Sequence, residues 1–445
     1  MLRRIGAVVA CVLLLTTVVA SRAAEPATPP AVPPINNIFV SRLTIDPSYP
    51  DTLYVVTTYS IGVLKSTDGG AHWAQINNGI KSYSLYHFAV HPKESNRVYL
   101  GAGGGGLYAS ADGGGHWTEM SDGLQNTDIG QLFLHPNDPE KIYVVTSTGV
   151  HRSPDGGRTW ERWNQGDDFT TSQEFQCVAI VPGKPDRLFL CSKRGLYTRA
   201  EGDRAWTSAS SDLKDKLISA LTVGPIGRRL YAAVLRDGET LQGGGLYISD
   251  DLGIRWKRIG SGIEQDWVRV IRIDPKEPQR LYLATSGRGV LVSTDGGESW
   301  KAANTGLTAT DIRTLELDPA NPKTLYAGAH GEGAFKSTDG AATWTHLGPL
   351  PMLDHEAIIA KLTTPDPARP KPNLAPTPAF AKCNKCHGWT DPYLNTVHGF
   401  WLVPPNRRNW SLTVKRMSRG ANLTPDEEKT IADFLQRYSE VYGHE

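Results

Sequence analysis

A chain of 445 residues exceeds one ordinary compact domain and is long enough to bury at least one large core, so two units are expected. Its 45 glycines and 12 tryptophans, beside only 4 methionines, favour a β-rich chain with many tight turns over a helical one. Lys and Arg (47) balance Asp and Glu (46), and no basic stripe interleaved with aromatics is present, which argues against nucleic acid as a partner.

Residues 1–23 read as a removable secretory signal. Arg3 and Arg4 supply a basic start, Ile5 to Ala20 an apolar run, and Ser21-Arg22-Ala23 a small-x-small cleavage site. The run is short for a bilayer span, so a retained anchor is the weaker reading. A lipid on Cys11 is weaker still, because the apolar stretch continues past that cysteine. The expected location is the periplasm or the cell exterior, with no transmembrane segment in the mature chain. A short Pro-rich segment, 24–37, follows.

From residue 38 to 349 the chain repeats itself. A turn of pattern S-x-D-x-G-x-x-W recurs at Ser66 to Trp73, Ser110 to Trp117, Ser153 to Trp160, Ser249 to Trp256, Ser293 to Trp300 and Ser337 to Trp344. An eroded seventh copy ends at Trp206, where Arg199, Glu201 and Asp203 replace Ser, Asp and Gly. Upstream of most copies stands a Pro turn followed by a strand-like run: Asp46-Pro47 before Leu53-Tyr54, His91-Pro92 before Val98-Tyr99, His135-Pro136 before Ile142-Tyr143, Asp274-Pro275 before Leu281-Tyr282, and Asp318-Pro319 before Leu325-Tyr326. Each unit therefore reads as four antiparallel strands joined by turns, and seven such units close a ring, a seven-bladed β-propeller. In each box, Asp accepts backbone N–H bonds, Gly supplies conformations that other residues resist, and Trp caps the space between neighbouring sheets.

Cys177 and Cys191 flank Pro182-Gly183-Lys184-Pro185, a turn between two apolar runs, so folding back would set them opposite each other on neighbouring strands. Either a disulfide or two buried free thiols fits this pattern.

These repeats resemble the Asp-box (BNR) repeats of sialidases, sortilin-type receptors, xyloglucan-degrading enzymes and photosystem II stability/assembly factor-like proteins. The resemblance implies the propeller fold across about three hundred residues, with the boxes away from any active site. A sialidase would need clustered arginines with a Tyr/Glu nucleophile pair. No such motif is recognisable, and Arg194, Arg288 and Arg313 read as scattered surface charges.

After Trp344 the composition shifts to a Pro-rich linker, 350–379, and a second domain is expected over 380–445. It opens on Cys383-Asn384-Lys385-Cys386-His387, the C-x-x-C-H pattern of covalent haem c attachment. Two thiols one helical turn apart add to the vinyl groups of one haem, and the following His faces the iron. A redox dithiol lacks its βαβ surroundings and a zinc site lacks a second ligand pair.

The rest of this segment resembles small, all-α class I cytochrome c domains, in particular through Trp410-Ser411-Leu412-Thr413-Val414-Lys415-Arg416-Met417. Asn409 is its N-cap and Gly420 its stop. A last helix begins at Thr424-Pro425-Asp426-Glu427, with Ile431, Phe434, Leu435 and Tyr438 at helical spacing. Met417 is the domain's only Met and sits where the similar domains place the second iron ligand. His398 and an open site are the alternatives. Arg407 and Arg408 are candidates to pair with haem propionates, or plain surface charge. Trp389 and Trp401 read as packing residues.

A haem with two protein ligands has no vacancy for substrate, which implies electron transfer with a redox protein of the periplasm, the propeller acting as docking scaffold. The alternatives are an oxidoreductase with its active site in the propeller and the haem as electron exit, or a non-catalytic assembly factor of a redox complex. His87, His91, His135 and His330 are candidates for such an active site. A His alternating with Asp in the repeated Pro turn, however, reads as a cap rather than a ligand.

Overall fold

A computed structural model describes residues 38–348, apart from 58–60, 83, 147, 164–174, 193–194, 226 and 236–243. The expected signal (1–23), Pro-rich segment (24–37), linker (350–379) and haem domain (380–445) lie outside the described residues. With them lie Cys11, Cys383, Cys386, His387, Trp389, His398, Trp401, Arg407, Arg408 and Met417, and also Arg194.

The described residues form seven four-stranded antiparallel sheets, each made from one contiguous stretch of chain. In the first, the inner strand Ile38–Ile45 pairs with Leu53–Thr57, which pairs with Val63–Ser66, which pairs with the outer strand Ala74–Gln75. The second strand is buried along its whole length, because it is covered on both faces by neighbouring sheets. Its counterparts Val98–Ala102, Ile142–Thr146 and Leu230–Val234 are buried likewise. Outer strands of two residues, such as Ala74–Gln75 and Thr118–Glu119, are exposed.

Successive inner strands lie side by side round the ring, and that of the seventh sheet lies beside the first. Closure is made by main chain as well as packing. Phe39 pairs with His330, Ile38 with Gly331, and Thr314 Oγ1 bridges the amide and carbonyl of Leu43 at 3.4 Å each. The first and last sheets thereby become one eight-stranded sheet.

Every inner strand carries a β-bulge near its start. Simple alternation would put Val40 and Leu43 on opposite faces. The extra residue at Ser41 restores both to the core, leaving Arg42 and Thr44 on the other face.

The Asp boxes join the third strand to the outer strand, and six of them share one set of Ser–Asp bonds, while the Trp indole donates either to the preceding sheet or, at Trp73, Trp256 and Trp300, to a glycine carbonyl of its own box. In the second sheet, Ser110 Oγ donates to Asp112 Oδ1 (2.6 Å) and accepts from the Gly114 amide (2.9 Å), while Asp112 Oδ1 accepts from the His116 amide (2.9 Å). Trp117 Nε1 then donates to the carbonyl of Ile76 in the preceding sheet (2.7 Å). Gly114 has φ +99°, a left-handed conformation that favours glycine, although Ala341 fills the same place in the seventh box at φ +69°. A further bond ties five of the boxes to the Pro turn of their own sheet: Gly69 to Asp51, Gly113 to Asn96, Gly156 to Glu140, Gly296 to Gln279 and Gly340 to Lys323. Boxes and Pro turns thus share one face of the ring.

The eroded box of the fourth sheet keeps that tie through the Glu201 amide on Asp186 O. Arg199 replaces the serine by donating to the carbonyls of Asp203 and Trp163, its guanidinium 4.4 Å over the Trp163 ring. In this sheet Cys177 and Cys191 are register partners and form a disulfide, with Cα atoms 5.0 Å apart. The pairing that the intervening Pro turn suggested is therefore present, and the free-thiol alternative is not.

Candidate functional site

The histidines separate by role. In the Pro turns, His91 Nδ1 accepts from the Lys93 amide (3.3 Å), and His135 Nδ1 accepts from those of Asn137 (3.2 Å) and Asp138 (3.0 Å). Asp46, Asp274 and Asp318 make the same bonds through Oδ1 in their own turns. His and Asp alternate because both offer an acceptor at that point, so these two histidines are caps. Their second nitrogen reaches the next sheet: His135 Nε2 lies 3.0 Å from Asp186 and His91 Nε2 lies 3.8 Å from Glu140. His91, Glu94 and Glu140 converge, but Arg97 Nη2 donates to Glu140 at 2.8 Å and occupies the place a cation would take.

His87 stands on the inner strand Leu85–Val90, on the face that carries Arg42 in the first sheet. Burial, with the Arg42 charge, pushes its pKa down to about 3, while a bond with the Gly130 backbone opposes the shift.

His330 belongs to a different assembly, on the rim opposite the boxes. There the starts of the inner strands Trp267–Ile273 and Ile312–Leu317 meet the ends of Leu281–Ser286 and Leu325–Gly331. Arg269 Nε donates to Ser286 Oγ (2.8 Å), Ser286 Oγ donates to Asp311 Oδ1 (2.8 Å), and Arg313 donates to Asp311 Oδ2 through Nη2 (2.8 Å) and Nε (3.1 Å). His330 Nδ1 lies 4.0 Å from the same carboxylate, its ring edge-on to Phe39 at 4.4 Å. The Arg269 guanidinium sits 4.0 Å over the Trp267 ring, which is 44% exposed. Desolvation, with the nearby Arg313 charge, lowers the Arg269 pKa.

Of the arginines singled out in the sequence, Arg313 belongs to this network, and Arg288 makes a separate pair with Asp266 (2.6 Å). Trp267, Arg269, Ser286 and Asp311 were not anticipated. The one available signal was Trp267 itself, a tryptophan outside the box register with an arginine two residues on.

Fold and rim together define a β-propeller with a polar, aromatic-bearing face opposite its Asp boxes. Residues 48–264 match the family profile of the DUF6242 beta propeller domain, and residues 244–349 match that of sortilin, neurotensin receptor 3. No curated protein sequence matches the chain. Among solved structures, the GH74 enzyme of Niastella koreensis is similar at 20% identity and TM-score 0.56, over 69% of this chain and 54% of that one. An ancestral GH74 enzyme is similar at 17% and 0.57, over 72% and 48%. YCF48 bound to D1 peptide is similar at 15% and 0.52, over 68% and 94%. The chain spans about half the length of the two GH74 chains. At these identities the likeness is one of fold.

Proposed function

We propose that the chain is a c-type cytochrome of the cell envelope, exported to the periplasm or beyond, whose propeller docks a redox partner protein. The observation that carries this reading is the C-x-x-C-H motif at Cys383 to His387, in a chain whose residues 1–23 read as an export signal. Cys383 and Cys386 would hold one haem c by thioether bonds, with His387 as one iron ligand and Met417 as the other, His398 or an open site being the alternatives. Arg407 and Arg408 are candidates to pair with its propionates, or plain surface charge. Held by these residues, a haem would supply one-electron chemistry.

The rim opposite the boxes supports the docking role. Trp267 is exposed yet held in place by Arg269, and an aromatic beside arginines is the composition of energetic centres in protein interfaces. The same network favours a second reading, an oxidoreductase that binds its substrate at Arg269, Ser286 and Asp311.

Rates of haem reduction by a periplasmic extract, in the full chain and in residues 351–445 alone, test the proposal. The docking role predicts that the full chain is reduced at least about tenfold faster, in keeping with the gain from a steered encounter. Equal rates would remove the propeller from electron transfer.

A further inference from the structure

On the rim opposite the boxes the carboxylates are engaged one by one. Asp311 holds Arg313 through two bonds, Asp266 holds Arg288 at 2.6 Å, and Glu332 accepts from the Thr308 hydroxyl at 2.7 Å. Arg269 stands among them without an ion pair to any described residue. Its Nε is occupied by Ser286 Oγ, and Asp311 is joined to it only through that hydroxyl. His330 adds no charge at neutral pH, because burial, and then the charges of Arg313 and Arg269, push its pKa below the ordinary histidine value. Arg269, Arg313, Asp311 and His330 together therefore carry one uncompensated positive charge.

That charge is held in place. The guanidinium lies 4.0 Å over the Trp267 ring and is tethered at Nε, so little further ordering is needed for its terminal nitrogens to meet a planar acceptor. It is also half-buried, and a partly desolvated cation gains more from an incoming carboxylate than one fully in water.

Exposure indicates the kind of partner. Trp267 is 44% exposed and His330 keeps 45% of its side chain accessible, whereas small ligands are ordinarily enclosed over most of their surface, so this face suits a protein better than a metabolite. An exposed tryptophan locked beside an arginine is the pairing that concentrates binding energy at the centre of protein interfaces.

We propose that the rim around Trp267 docks an acidic partner protein, one of whose carboxylates pairs with Arg269 while an apolar side chain beside it packs on the indole. The proposal rests on the docking role given above and adds the partner's chemistry.

The test is calorimetric titration of the full-length protein, at low ionic strength, with a synthetic peptide carrying Asp-Leu pairs and with its counterpart in which Asn replaces Asp. Saturable binding of the acidic peptide is expected, weakened by salt and at least about tenfold tighter than that of the amide peptide. Arg269→Gln should abolish the preference for the acidic peptide, and Trp267→Ala should weaken both. Arg255→Gln removes a guanidinium that is 85% exposed on the box face, and should leave binding unchanged. No saturable binding by the wild type, equal binding of the two peptides, or the same loss in Arg255→Gln as in Arg269→Gln would each overturn the proposal. Benzoate binding as tightly as the acidic peptide would also overturn it, making the site one for a small organic acid. The titration needs no haem, so its failure would leave the C-x-x-C-H reading standing, and a chain without covalent haem would still give its result.

Discussion

His87 is a histidine that folding keeps neutral. Its pKa falls to about 3 in the ring, against about 6.5 in an unfolded chain, chiefly through desolvation and then through Arg42. Above pH 6.5 neither state is protonated there, and the native state keeps its full stability. As pH drops from 6.5 towards 3 the unfolded chain takes up a proton that the folded chain refuses, so stability is lost across that window. Urea denaturation between pH 7 and 4 should show this slope in the wild type and a shallower one in His87→Gln. An unchanged slope would mean that His87 is not the group responsible. The role of His91 and His135 was legible from their alternation with Asp in the Pro turns. That of His87 was not, because its environment is made by Arg42 from a different sheet.

At the scale of the element, the Asp box works as a closed set of bonds. The serine, which the sequence pattern marks but does not explain, serves both Asp112 and Gly114 in the second sheet. Ser110→Ala would leave the buried Gly114 amide unsatisfied and should cost about 1–3 kcal/mol, read from a lower denaturation midpoint at unchanged slope. The box carboxylates also carry a pH signature. Asp112 is held below the ordinary carboxylate range, first by Ser110 and then by the His116 amide. Its contribution is therefore full above the unfolded value and lost as pH falls through the folded one. The fourth sheet was legible as a repeat from Trp206 alone, but not its substitute bonding. Arg199 is held by the carbonyl and ring of Trp163, 36 residues away in the preceding sheet.

For the whole molecule, what sequence reveals divides along contact distance. The repeat count, the strand order within each unit, the placement of the boxes and the Cys177–Cys191 pairing all depend on residues close in the chain. Ring closure between Phe39 and His330, the rim network from Trp267 to His330, and the meeting of Arg42 with Glu316 join residues that only the closed ring brings together. No local pattern encodes those contacts. The C-x-x-C-H motif is the opposite case, a pattern of five consecutive residues, Cys383 to His387, legible without any fold.

That motif carries the functional account, and the absorption spectrum of the full chain matured with a cytochrome c assembly system tests it most directly, in wild type and in Met417→Ala. The account predicts covalently attached haem with a sulfur-to-iron charge-transfer band in the wild type that disappears in the variant. Covalent haem lacking that band would transfer the distal position to His398 or leave it open, and a chain without covalent haem would contradict the account.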